Sequence, residues 1–195
     1  MPERPKARLV TTAWGDAYIA KLLDVTIPAL LAPGNLPAMA RDFDLEVAIA
    51  AVSGDFERLR ESEALRRLAR FATSILRPID DLVDHPAGYG QALTRALHRG
   101  FDDLGERMIG AHLMFLNADF VVADGGYANL AKRILAGESL IFAPSYCAIS
   151  EAVDPILRAA RDPQTGALRL SPRAMARTIL DFRHLTVRAK TVNRR

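Results

Sequence analysis

Four short apolar runs punctuate the chain, separated by helix-length stretches rich in charge. Residues 7–12 (ARLVTT) are apolar and β-branched and predict a first strand. Residues 45–52 (LEVAIAAV) form a nearly continuous apolar run, the mark of a strand buried on both faces. Residues 72–76 and 111–116 (AHLMFL) predict a third and a fourth. Trp14-Gly15-Asp16 breaks the first run, and Asp16 reads as the N-cap of a helix over 17–25. Pro28, Pro33-Gly34 and Pro37 make 27–39 a broken helix or an ordered loop. Beyond the turn Ser53-Gly54-Asp55, residues 56–70 predict a charged helix with a narrow stripe of Leu65, Leu68 and Ala69.

The cleanest helical period runs from Tyr89 through Ala92, Leu93, Ala96, Leu97, Gly100, Phe101 and Leu104 to Met108. Asp124-Gly125-Gly126 predicts a turn, and 127–136 a helix stopped by Gly137. Residues 139–149 predict one or two strands split at Pro144. Asp154-Pro155 reads as an N-cap with proline at the first helical position, and Ser171-Pro172 repeats that signal for a helix reaching about His184. Residues 162–166 (DPQTG) predict a surface turn. Strands and helices therefore alternate along 1–195. That order implies a single α/β domain, a three-layer α/β/α Rossmann-like arrangement around a mostly parallel sheet. Ligands in such folds bind beyond the carboxyl ends of the strands. The positions to watch are Trp14 to Asp16, Ser53 to Asp55, Asp80-Asp81, and Asn117 to Asp119.

Composition adds limits. Half the residues are hydrophobic and a quarter charged, an ordinary globular balance that can bury a sizeable core. The lone Cys147 excludes an internal disulfide, suggests a reducing compartment, and lies in an apolar stretch that predicts a buried, inert thiol. No run of about 18 apolar residues occurs. The charged start Met1-Pro-Glu-Arg-Pro-Lys has no apolar signal core behind it, so a cytoplasmic protein is expected. Net charge is +3. Between 169 and 195, Arg169, Arg173, Arg177, Arg183, Arg188, Lys190, Arg194 and Arg195 face only Asp181. This basic stretch, 169–195, either meets phosphates or an anionic membrane, peripherally at the inner face, or is a solvated helix face followed by a frayed basic tail, 186–195. Nucleic acid is not an expected partner. Ala13-Trp14-Gly15 is not a Gly-x-Gly-x-x-Gly turn, which removes the support for a dinucleotide oxidoreductase.

Asn117-x-Asp119 carries the candidate chemistry. In an extended backbone, residues two apart point the same way, so both oxygens can reach one object. Amide and carboxylate oxygens suit Mg²⁺ or Mn²⁺, which bind through one or two carboxylates plus substrate phosphates. The alternative is a strand-terminating turn in which Asp119 caps a backbone amide.

Several stretches together resemble a bacterial glycosyltransferase of the GT-A type, in the nucleotide-diphospho-sugar transferase superfamily. They are Trp14-Gly15 with Tyr18, the proline-rich 30–38 (LLAPGNLPA), the Tyr89 helix with His98, 115–125 (FLNADFVVADG), and 170–173 (LSPR) before a helix ending His184-Leu185. The resemblance implies a nucleotide-sugar donor, an acceptor hydroxyl on a glycan, lipid or protein, and a divalent cation held at an Asp-x-Asp motif. Asn117-Ala-Asp119 matches that motif with its first aspartate replaced by a neutral amide. His184 would be a further metal ligand, or simply a helix-end residue favoured by the dipole. Trp14 and Tyr18 would receive the nucleotide, Trp14 stacking on the base or closing the first strand as a buried aromatic. Asp55 or Asp80 would bond base or ribose, unless each is a cap or turn residue. Asp124 would face the donor sugar. Glu151 or Asp154 would act as general base for an inverting transfer, Asp154 being equally readable as a plain cap. His85, His98 and His112 do not make a metal set by spacing; His112 reads as a core or edge residue, and His98 lies beside the apolar stripe of its helix or points toward the sheet end in a functional role. Relatives of this type commonly continue further after the late histidine, so a binding homologue without turnover is the other expectation.

Overall fold

The four apolar runs become four parallel strands, β1 (Lys6–Thr12), β2 (Asp44–Ala51), β3 (Thr73–Pro78) and β4 (Ala111–Phe115), ordered β3-β2-β1-β4. The computed structural model describes residues 4–83 and 88–190. His85 and residues 191–195 of the basic tail lie outside the described residues. Parallel pairing sets Val10 opposite Phe115, Thr12 opposite Ala50, and Ala51 opposite Pro78, so all four strand ends emerge along one edge.

Alternation along the strands explains the layers. Ala7, Leu9 and Ala13 of the first strand region, with Leu45, Val47, Ile49 and Ala51 of β2, join the main core. That core is covered by α1 (Asp16–Lys21), α2 (Ile27–Leu30), α3 (Leu36–Met39), α4 (Phe56–Glu61), α5 (Glu63–Leu68) and α8 (Gly126–Leu135). The intervening residues face the other side. There Ala50 packs with Ile79, Leu82 and Ala96 beneath α6 (Asp80–Val83) and α7 (Tyr89–Arg99). Burial on both faces is why β2 reads as a nearly continuous apolar run. Gly100 ends α7 against the sheet because a Cβ there would clash with Val10 Cγ1. A third layer of apolar contacts joins α9 (Ser150–Ala159) and α10 (Pro172–Asp181) to Val25 and Ala29 through Val153, Leu157, Leu168 and Met175. The last helix described is α11 (Leu185–Lys190).

Several local expectations are corrected. Gly15, with φ of 78°, occupies the cap of α1, and Asp16 is already helical, paired with Arg58 at 2.8 Å. The helix does not stop before Pro28: a π-helical stretch, Leu22–Thr26, widens the turn, and Pro28 falls at the start of α2 where its missing N–H is not needed. Residues 56–70 split at Ser62, whose extended backbone ends α4 and whose Oγ caps α5 by accepting from Leu65 N at 3.2 Å. The long period from Tyr89 breaks at Gly100–Phe101, and a 3₁₀ segment, Asp102–Gly110, follows. Residues 139–149 form no strand. Only Ala148 makes a bridge, to Arg183, because β4 is an edge that no further strand joins among the described residues. Cys147 is consequently exposed, not buried. The α9 helix starts at Ser150, which leaves Asp154 and Pro155 inside it and removes the reading of Asp154 as its cap. Ser171 does cap α10, its Oγ accepting from Ala174 N at 3.2 Å.

Candidate functional site at the carboxyl edge of the sheet

The edge is built from short turns, and four carboxylates at or near it serve the scaffold. After β3, Asp80 accepts from Ser53 N at 3.1 Å and Ser53 Oγ at 2.7 Å, tying the end of β2 to the end of β3. The Ser53 hydroxyl holds the Asp80 carboxyl below its ordinary pKa. Asp81 beside it grips Arg99 in two bonds of 2.7 and 2.9 Å. Asp124 accepts from Gly34 N at 2.7 Å. Gly34 is required at that contact, since a Cβ would lie 2.6 Å from Gly125 N. Asp154, half-buried on α9, faces Lys21 Nζ at 3.9 Å, and Lys21 donates to Ser150 Oγ at 2.8 Å.

The segment after β4 is held from below by residues that the sequence did not flag. Thr26, fully buried in the π-helical stretch, donates to Ala118 O at 2.6 Å. Asn35 is also fully buried. Its Nδ2 donates to Ala29 O at 2.8 Å and to Val122 O at 3.4 Å, and its Oδ1 accepts from Tyr127 N at 3.1 Å. A lone amide within an otherwise apolar 30–39 is the signal that would have found it, because a buried polar side chain needs partners. These bonds fix the backbone of 118–127 while using none of the Asn117 or Asp119 side-chain atoms.

The Asn117-Ala118-Asp119 geometry itself differs from expectation. β4 ends at Phe115, and Phe120 N donates to Asn117 O at 3.1 Å, closing a turn whose corners are Ala118 and Asp119. The backbone is not extended there, so the alternation argument for two side chains pointing together does not apply. Burial reflects the turn: Ala118 is buried, Asn117 half-buried and Asp119 exposed. Asp119 caps no amide among the described residues.

The remaining positions separate by element. Trp14 is half-buried between the ends of β1 and α7, packed against Ile79, Leu82, Val83, Ala92 and Ala96. Tyr18 is exposed on α1, and Asp55 ends the 3₁₀ turn Ser53–Asp55 without a side-chain capping bond. Glu151 is exposed in the first turn of α9. His184 is exposed just before α11, its Nδ1 2.8 Å from Thr186 Oγ1, and its N–H bonds Cys147 O. Among the described residues no three His, Cys, Asp or Glu side chains gather closely enough to hold an ion. His98 stacks edge-on to Phe101 and His112 to Phe43, at 5.1 and 5.8 Å. The sheet order thus gathers Trp14, Asp55, Asp80, Asn117 and Asp119 on one edge. Glu151 and Asp154 lie on α9, and His184 lies between α10 and α11. A shallow recess lined by Lys6, Arg8, Glu46 and Arg107 lies at the amino ends of β1 and β2, away from this edge.

No helix among the described residues is long and apolar enough to cross a membrane. No family model matches the chain, and no curated protein or solved structure matches it.

Proposed function

We propose that the carboxyl edge of the sheet binds a nucleotide-diphosphate sugar and that the protein transfers the sugar to an acceptor hydroxyl. One observation carries this reading. The turn after β4 is fixed from beneath through Ala118 O, Tyr127 N and Asp124, while the Asp119 carboxylate is left to solvent at the strand end. A rigid backbone with an uncommitted carboxylate is what recognition of a metal-bound diphosphate requires.

The donor set fits a hard cation modestly. Asp119 supplies one charged oxygen and Asn117 one neutral oxygen, so substrate phosphates and water must complete the shell. When bound, such an ion neutralises charge on a leaving diphosphate. Trp14, half-buried at the end of β1, and Tyr18, exposed on the following helix, would offer aromatic surface to a base. Glu151 is the better candidate base, since Asp154 already faces Lys21. Removal of the acceptor proton would fall to its exposed carboxylate.

A second reading, donor binding without turnover, is favoured by Asn117, which brings no charge to the cation. Calorimetry with UDP- and GDP-sugars, with and without Mn²⁺, tests both. Metal-dependent binding lost in Asp119→Ala supports a donor site, and hydrolysis of the bound donor then selects the transferase. Absence of binding by any nucleotide sugar refutes both.

A further inference from the structure

A second surface is unusual in its side chains. The segment 138–147 carries Leu140 at 76 % and Phe142 at 85 % exposure, with Tyr146 also exposed. Phe182 and Leu185 adjoin its carboxyl end, because Ile149 N bonds Phe182 O at 2.8 Å and His184 N bonds Cys147 O at 2.9 Å. On α10, Met175 and Ile179 turn inward to the apolar contacts with Val25 and Leu157. The helical period therefore turns Arg173, Arg177 and Leu180 outward together, and all three are exposed. Arg188 follows, exposed on α11. Exposed apolar side chains of this number, interleaved with arginine, mark an interaction face.

We infer that this face docks on an anionic lipid bilayer, with Leu140, Phe142, Leu180 and Leu185 entering the interface and the arginines meeting headgroups. Charge complementarity selects that occupant. Arg169 is paired with Asp162, but between 173 and 188 the chain has Arg173, Arg177, Arg183 and Arg188 against Asp181 alone. A symmetric pairing of two copies would bring the same patch against itself and set arginine against arginine. A bilayer of anionic lipid takes both features at once: apolar side chains sink to the acyl boundary while basic groups stay at the surface. The docking stands independently of what the sheet edge binds.

Vesicle co-sedimentation tests it, using phosphatidylcholine alone and phosphatidylcholine mixed with phosphatidylglycerol. The expected result is binding to the mixed vesicles only, weakening with salt. Each basic residue near such a surface contributes about a fivefold change in partitioning, so R173E/R177E weakens binding by about 25-fold or more. L140E/F142E weakens it by about tenfold or more. All four side chains are exposed, so both variants keep the wild-type melting curve. Four results overturn the proposal: no binding to mixed vesicles, equal binding to neutral ones, loss with the arginine pair but not with Leu140 and Phe142, or a self-association in sedimentation velocity that L140E/F142E abolishes.

Discussion

Asn35→Ala should be the most damaging single change near the candidate site. The native side chain is fully buried and satisfies Ala29 O, Val122 O and Tyr127 N. At 3.4 Å the bond to Val122 is long and counts for little. The other two partners stay buried and lose their bonds, at about 1–3 kcal/mol each, so the total loss is about 2–6 kcal/mol, centred on about 4, before any cavity is counted. Against a typical stability of about 5–15 kcal/mol, the variant still folds. With an m-value of about 2 kcal/mol/M, its urea midpoint falls by about 2 M. Asn35→Asp sharpens the test. The new carboxyl keeps the acceptor for Tyr127 N but replaces the donor that Ala29 O needs. Burial against a carbonyl raises its pKa in the folded state above the unfolded value near about 4. The folded state then binds the extra proton more readily, so the variant recovers stability relative to wild type as pH falls from 7 toward that value. A loss below about 1 kcal/mol for Asn35→Ala, or an Asn35→Asp penalty that ignores pH, would refute this account of the node.

Asp119→Ala should leave the unfolding midpoint within about 0.5 kcal/mol of wild type, because the side chain is exposed and holds no scaffold bond, while removing Mn²⁺-dependent nucleotide-sugar binding in calorimetry. Gly34→Ala should cost about 1–3 kcal/mol in thermal unfolding, since its Cβ meets Gly125 backbone atoms at 2.6 and 2.7 Å. Arg8, buried in β1, bonds Asp103 at 2.6 Å and Glu46 at 2.7 Å. Arg8→Met should cost about 1–3 kcal/mol at pH 7, less than a fully buried pair, because both carboxylates are about 30 % exposed and re-solvate. The Arg8 hydrogen bond lowers the Asp103 pKa, so its contribution is full above the unfolded carboxylate value and fades as pH falls through the folded one. The difference between wild type and Arg8→Met should therefore shrink in urea titrations on the acid side of about pH 4. Asp80→Ala should speed hydrogen exchange at the Ser53 amide, whose bond it removes.

The sheet was legible because burial on both faces leaves a local signature. β2 is apolar at successive positions from Val47, and β1 beside it and β4 beyond are short runs bounded by turn residues. Helix ends were read less well where the deciding atoms are remote. Pro28 looks like a stop, yet the π-helical stretch before it absorbs the missing bond. Asp154-Pro155 has the form of a cap, but α9 is already under way from Ser150. Residues 139–149 fail for a different reason. Apolar composition predicts burial only if a surface exists to bury against, and β4 offers none among the described residues. The same exposed side chains then become the strongest feature of a docking face.

The candidate site shows the same division between position and partner. Its location at the carboxyl edge followed from strand order, which the hydrophobic pattern specifies. The duties of its carboxylates did not, because those depend on groups far along the chain. Asp80 is committed by Ser53, Asp124 by Gly34 and Asp154 by Lys21. Each looked as available in sequence as Asp119. Subtracting the committed groups raises the weight on Asp119 and lowers it on Asp80 and Asp124 as ligand contacts. The same reasoning separates the two readings of the site. If Asn117 is the reason turnover is weak, Asn117→Asp restores the second charge and should tighten Mn²⁺-dependent donor binding, with any donor hydrolysis rising alongside it. If the amide instead faces the donor as a neutral hydrogen-bond partner, the added carboxylate repels the diphosphate and binding falls. Calorimetry on that one variant distinguishes a depleted metal site from a different mode of recognition at the same turn.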